Sequence, residues 1–130
     1  MEYLEGIRIA ITDLFGLLIA HLIGDFILQS DEMAKNKSSD YVVLTNHVTI
    51  YMIPFIPILL YSLPLFASFL FLMINWSLHF VTDAISSRIA KRFWMHEQRH
   101  NFFVTIGVDQ FVHMVTLVGT FVVLKIGMIG

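Results

Sequence analysis

The sequence predicts an all-α integral membrane protein: one domain over residues 1–130, folded as a bundle of four transmembrane helices. Three observations carry this expectation. Apolar residues make up 57% of the chain and charged residues 14%, a balance that leaves too little polar surface to cover a water-facing fold. Apolar stretches of about 20 residues, long enough to cross a hydrocarbon core at about 1.5 Å per residue, recur at 7–28, 41–63, 65–85 and 102–124. Polar residues gather in two connectors, 30–40 and 86–101. An ordinary cytosolic enzyme and a secreted toxin are excluded on the same grounds. The absence of cysteine removes disulfides, thiolate metal sites and a cysteine nucleophile, so any metal must be held by nitrogen and oxygen. A net charge of -2 gives no attraction to polyanions, and no nucleic-acid partner is expected.

The first stretch is preceded by Glu2 and Glu5, holds Asp13, His21 and Asp25, and lacks a small-x-small cleavage pattern. It therefore reads as a retained helix and not a cleaved signal. In the second, Pro54 and Pro57 must kink the helix, and Pro64 closes it directly before the third, which makes stretches two and three a tight antiparallel hairpin. Lys35, Lys37, Arg88, Lys91, Arg92 and Arg99 lie in the two connectors, against only Arg8 and Lys125 at the other ends. That bias puts both connectors on the cytoplasmic side. Membrane lipids are the expected partners.

Seven ionisable groups stand inside these apolar stretches: His21, Asp25, His47, His79, Asp83, Asp109 and His113. Facing lipid, each would cost several kcal/mol, so they are expected to face the bundle interior, paired or on a metal. Six form i, i+4 pairs (His21 with Asp25, His79 with Asp83, Asp109 with His113), and that spacing stacks two side chains on one helix face. Chance gives about half of one such pair in a chain like this, so depth supplies the independent test. Counted inward from the connectors, His21, His47, Asp83 and Asp109 fall within about 7 to 14 Å of one interface. Four antiparallel helices then bring all seven groups to one level.

A layer of imidazoles and carboxylates across a bundle is how helical proteins build metal centres, and without thiolate the donor set suits zinc, manganese or iron. All seven residues are expected ligands to one or two divalent ions, with Asp25, Asp83 or Asp109 as the base for a bound water. Gln29, Asn46, Thr82, Ser86 and Gln110 lie near them in sequence and are expected to orient them. Lys35 and Lys37, or Arg88, Lys91 and Arg92, are expected to hold an anionic headgroup. The plainer alternative is His–Asp hydrogen bonding that fixes helix register without metal; it is weaker because Ser, Thr or Asn would serve at lower cost. Asp13 reads as a helix-end or solvated residue, and Asn75 and Trp76 as interhelix packing. Gly16, Ala20 and Gly24 recur at i, i+4 and permit close helix approach, within the chain or in a homo-oligomer. His96-Glu97-Gln98-Arg99-His100 matches H-E-x-x-H, but it sits in a basic connector with no third ligand nearby, so it reads as a solvated turn with Phe93 and Trp94 anchored at the interface.

The pattern His21-x-x-x-Asp25-x-x-x-Gln29, Met33-Ala-Lys35-Asn-Lys37, Asn46-His47, His79-x-x-x-Asp83 and Asp109-Gln110-x-x-His113 resembles an uncharacterised family of small bacterial and phage integral-membrane proteins, a domain of unknown function. The likeness covers nearly the whole chain and leaves out His96 to His100. More distantly the chain is similar to membrane-bound metal-dependent hydrolases, which implies hydrolysis. The expected function is accordingly a membrane-embedded, metal-dependent hydrolase of an ester or phosphoester in a lipid or amphiphile, acting at the cytoplasmic leaflet. The alternatives are an intramembrane proton or divalent-ion transporter, and a non-catalytic membrane effector subunit.

Overall fold

The computed structural model describes residues 2–129, with side chains described for 10–127; the side chains of Glu2, Glu5 and Arg8 lie outside the described residues. The described chain is helical throughout, without a strand. Helix α1 covers Glu2–Leu22 and continues into a π-helical turn, Ile23–Ile27. A short α2, Asp31–Asn36, lies in the first connector, started by Ser30, whose Oγ accepts from the Met33 amide at 3.2 Å. Asp40 caps α3, Tyr41–Tyr51, its Oδ1 accepting from the Val42 amide at 2.8 Å. Both caps satisfy amides that a helix start leaves without an internal acceptor.

Pro54 has no amide hydrogen to give back to residue 50, so the chain tightens there, with Met52 and Ile53 bonded three residues back. Helix α4, Phe55–Ser62, leaves at 44° to α3. Helices α5, Leu65–Met95, and α6, Arg99–Ile129, pack against each other along much of their length. Ala10–Ile27, Leu65–Met95 and Arg99–Gly127 are each long and apolar enough to cross a membrane, and the bent α3–α4 pair is a fourth if counted as one span.

The expected third and fourth stretches were too short. Helix α5 runs ten residues past 85 and α6 starts three before 102, so most of the 86–101 connector is helix and the turn is only residues 96–98. Hydropathy reports where apolar residues stop, and nothing between Ser86 and Met95 breaks a helix. Arg92 in the last turn of α5 favours its carbonyl end. The reversal falls at Glu97, whose φ of 57° takes the chain out of the right-handed region. His96 therefore caps α5 while His100 sits in α6, and the H-E-x-x-H residues do not share a helical turn.

Leu17, Phe55, Leu59, Phe71, Leu117 and Phe121 fill the bundle core toward the α4–α5 turn. A third or less of each long apolar window is buried in the fold, and Phe66, Phe111 and Val123 stand outward. The buried residues include ten polar ones, an inversion of the pattern in water-soluble folds. Asp13, expected to be solvated or at a helix end, is buried. It accepts from Ser62 Oγ at 2.6 Å and pairs with the Lys125 ammonium, joining α1, α4 and α6. Trp76 donates to Thr49 across α3 and α5. Gly24 meets α3 so closely that a Cβ would stand 2.7 Å from the Tyr51 carbonyl oxygen.

Candidate metal centre

Each polar residue reaches the site through its element. The π-helical turn closes with the Leu28 amide on the Ile23 carbonyl, five residues back. The wider turn rotates Asp25 off His21, to 4.0 Å, and into the middle of the bundle. Single π turns are common where a helix must aim a side chain. Helix α3 contributes His47, α5 contributes His79 and Asp83 one turn apart, and α6 contributes Asp109 and His113. All of these residues are buried.

Four of them converge. His47 Nε2 lies 3.2 Å from Asp25 Oδ1 and 3.3 Å from Asp83 Oδ2. His79 Nε2 lies 3.7 Å from Asp25 Oδ1, 3.5 Å from Asp83 Oδ2 and 3.4 Å from His47 Nε2. Charge-assisted N–H···O bonds sit at about 2.7–2.9 Å, shorter than any of these. A tetrahedral ion with bonds of about 2.0–2.2 Å separates its donor atoms by roughly 3.3–3.6 Å. Asp25, His47, His79 and Asp83 are thus spaced as ligands around a centre more than as partners to one another, and they can hold a metal ion. Asp25 Oδ1 also lacks a hydrogen bond.

Asp25, Asp109 and His113 form a second group with the spacing to hold an ion. His113 Nδ1 donates to the Asp109 carbonyl at 2.8 Å, leaving Nε2, buried without a hydrogen bond, 3.5 Å from Asp83 Oδ1. Asp25 therefore belongs to both groups, and Asp83 Oδ1 faces His113 of the second. His21 stands apart from both. Its Nδ1 meets the Tyr51 hydroxyl at 2.8 Å and its Nε2 meets Gln110 Oε1 at 2.7 Å, so both ring nitrogens already have partners. Gln110 Nε2 donates onward to Asp25 Oδ2 at 2.7 Å and Asp109 Oδ2 at 3.1 Å. Reversing that amide would turn its oxygen on two carboxylates and lose both bonds to them, so its present orientation makes His21 Nε2 the donor. His21, expected as a ligand, is in neither group, and it is joined to Asp25 through the Gln110 amide.

Of the other expected supporting residues, Ser86 donates to Asp109 Oδ1 at 2.5 Å and Gln29 lines a cavity beside the cluster. Asn46 is exposed on α3, and Thr82 bonds back to the Leu78 carbonyl, so neither supports the site. Tyr51 was not among the expected site residues, although its place four residues after His47 was a signal. Nor does sequence spacing reveal that Lys37, 46 residues before Asp83, donates to its Oδ2 at 2.8 Å. Three carboxylates, those of Asp25, Asp83 and Asp109, thus gather near one ammonium, an excess of acidic groups that suits a divalent cation.

A cavity of about 530 Å³ opens from Asp25, Asp109 and Gln110 toward the 30–40 segment and the far end of α5. On the opposite side, Leu17, Phe55, Phe71, Leu117 and Phe121 close the bundle beyond the Tyr51 ring. A family model described as Protein of unknown function (DUF3307) matches residues 14–128. No curated protein and no solved structure matches the chain.

Proposed function

The chain belongs to this DUF3307 family, and from the site itself we propose that it is a membrane-embedded, metal-dependent hydrolase of an ester or phosphoester in a lipid or amphiphile. In this reading all four apolar stretches cross a bacterial inner membrane, with α2 and the 96–98 turn on the cytoplasmic side. One divalent ion, zinc, manganese or iron, is held by Asp25, His47, His79 and Asp83. The observation that carries the reading is the set of distances of 3.2–3.7 Å among those four donors, which suits a shared cation and is too long for charge-assisted hydrogen bonds.

An ion held there supplies Lewis acidity and lowers the pKa of a water. The chain's own residues supply the rest. Lys37 already takes one lone pair of Asp83 Oδ2, so Asp83 is the weakest donor of the four, and Asp25, His47 and His79 are the firm ones. A catalytic centre needs such an exchangeable position. Asp109 is outside the four but borders the cavity, and Ser86 and Gln110 fix both its oxygens. It is the carboxylate placed to take a proton from an attacking water. Hydrolysis adds one water across the ester: its oxygen bonds to phosphorus or the acyl carbon, and the bond to the alcohol oxygen breaks. One proton goes from the water to Asp109, which gives it to the departing alkoxide oxygen, so the chain returns to its starting state while Lys37 stays paired with Asp83.

The apolar core of Leu17, Phe55, Phe71, Leu117 and Phe121 between the cluster and the Asp13–Lys125 pair supports this over transport, because a relay needs a continuous polar path. Elemental analysis of detergent-purified wild type, His79→Ala and Asp109→Asn, with hydrolysis measured on the same samples, tests the proposal. Wild type and Asp109→Asn should carry the ion and His79→Ala should not, with hydrolysis reduced about 10²-fold or more in Asp109→Asn. A wild type that stays empty after loading with all three metals, or an undiminished rate in Asp109→Asn, refutes it.

A further inference from the structure

We infer that the cavity beside the cluster takes a phosphate-bearing amphiphile and not a neutral ester; the binding step stands on its own, and only the chemistry after it rests on the hydrolase reading. At about 530 Å³ the cavity is of small-molecule size. Three lysines line it: Lys35, Lys37 and Lys91. Lys37 is matched by Asp83 at 2.8 Å. Lys35 and Lys91 have no hydrogen bond, ion pair or ring contact among the described residues. Asp25 and Asp109 also line the cavity but belong to the groups that would hold the ion, so Lys35 and Lys91 are the two ammonium groups left to match the charge of a phosphate monoester. A neutral ester would leave both unmatched.

Two more polar atoms lie on the same walls. Gln29 Oε1 and Ser87 Oγ are both buried without a partner. A hydroxyl there can donate to a phosphate oxygen, and the Gln29 amide offers a donor or an acceptor according to its flip. Trp94 and Phe102, with ring centroids 5.0 Å apart, line the same cavity with Phe26 and Ile106. The cavity thus offers ammonium groups for a head and aromatic rings for the first methylenes of a chain.

The other basic residues expected to bind a headgroup are engaged or face elsewhere. Arg88 donates to the Ala84 carbonyl at 2.5 Å and lies over the Tyr41 ring at 4.6 Å. Arg92 borders a separate depression with His96 and Gln98. The anion site is therefore the pair Lys35 and Lys91, brought together from α2 and α5.

The test is equilibrium binding of dodecyl phosphate, dodecyl acetate and inorganic phosphate to the manganese-loaded protein in a neutral detergent. Wild type is compared with the Lys35→Gln/Lys91→Gln double variant, and released dodecanol is measured in the same samples. Both lysines are exposed and make no polar contact among the described residues, so the double variant keeps its fold. Dodecyl phosphate should bind at least tenfold tighter than dodecyl acetate and lose about tenfold in the double variant. Equal binding of the neutral ester, or unchanged binding in the double variant, overturns the inference. Inorganic phosphate binding as tightly as dodecyl phosphate overturns the amphiphile and points to free phosphate. Dodecyl phosphate binding without dodecanol release supports the ligand class and removes the hydrolase reading instead.

Discussion

Replacing Asp83 with Asn separates a metal centre from a cluster held only by hydrogen bonds. Asp83 is 1% exposed, and its carboxylate faces Lys37 at 2.8 Å, His47 and His79 at 3.3 and 3.5 Å, and His113 at 3.5 Å. Asn keeps the shape and removes the charge. One cost arises with or without metal: Lys37 loses its carboxylate, and removing one side of a buried pair costs about 3–5 kcal/mol. With its side chain 16% exposed, Lys37 keeps some access to water, which places the cost at the lower end. A second effect arises only if the cluster binds a cation. Metal at a hundred times its Kd adds about 2.7 kcal/mol to wild-type stability. Changes one shell outside a metal lower affinity about 10–100-fold, and loss of a charged ligand costs at least as much. At the same metal concentration the variant then keeps no more than about 0.4–1.4 kcal/mol of that increment. Unfolding in detergent, with chelator and then with manganese or zinc titrated in, reads both effects. An equal metal-dependent increment in the two proteins, or none in wild type, refutes the reasoning.

Gly24→Ala should destabilise by about 1–3 kcal/mol, because its Cβ would meet the Tyr51 carbonyl oxygen at 2.7 Å, whereas Gly16→Ala should be nearly neutral because it meets only the Ile58 side chain, at 3.3 Å; chemical denaturation compares them. Gln110→Ala should weaken metal binding about 10–100-fold with all four ligands intact, since it frees Asp25 Oδ2 and His21 together; competition with a fluorescent chelator measures it, and an unchanged affinity removes His21 and Gln110 from the site. Asp13→Asn should cost about 3 kcal/mol, much of it regained when Asp13→Leu is combined with Lys125→Met. Metal content should not change in either Asp13 variant, because the pair lies across the apolar core from the cluster.

Much of the site was legible because burial of charge is so costly in an apolar chain. His47, His79, Asp83, Asp109 and His113 stand where their helix spacing places them, on inward faces of α3, α5 and α6. The rest depended on contacts that spacing does not encode. His21 and Asp25 are four residues apart, yet with Asp25 in the π-helical turn His21 meets Tyr51 while Asp25 Oδ1 faces His47 and His79, and Gln110 bonds to both. Thr82 and Asn46 are next to ligands in sequence but lie on the wrong side of their helices. Lys37 reaches Asp83 only because α2 folds the first connector back over the end of the bundle. The helix ends were misplaced for a different reason: apolar character stops at Ile85, whereas helical hydrogen bonding continues until a residue such as Glu97 turns the chain.

The amino-acid order by itself determined that this chain is helical, apolar on the outside, and obliged to gather its few charged groups inward, because period and hydropathy are local properties summed along a segment. Which oxygen faces which nitrogen, which histidine is already satisfied, and which lysines stay unpaired beside a cavity were decided only by tertiary structure. Those outcomes depend on ångström-scale distances between helices, and a π turn, a proline break and a glycine pressed against a neighbouring backbone set those distances.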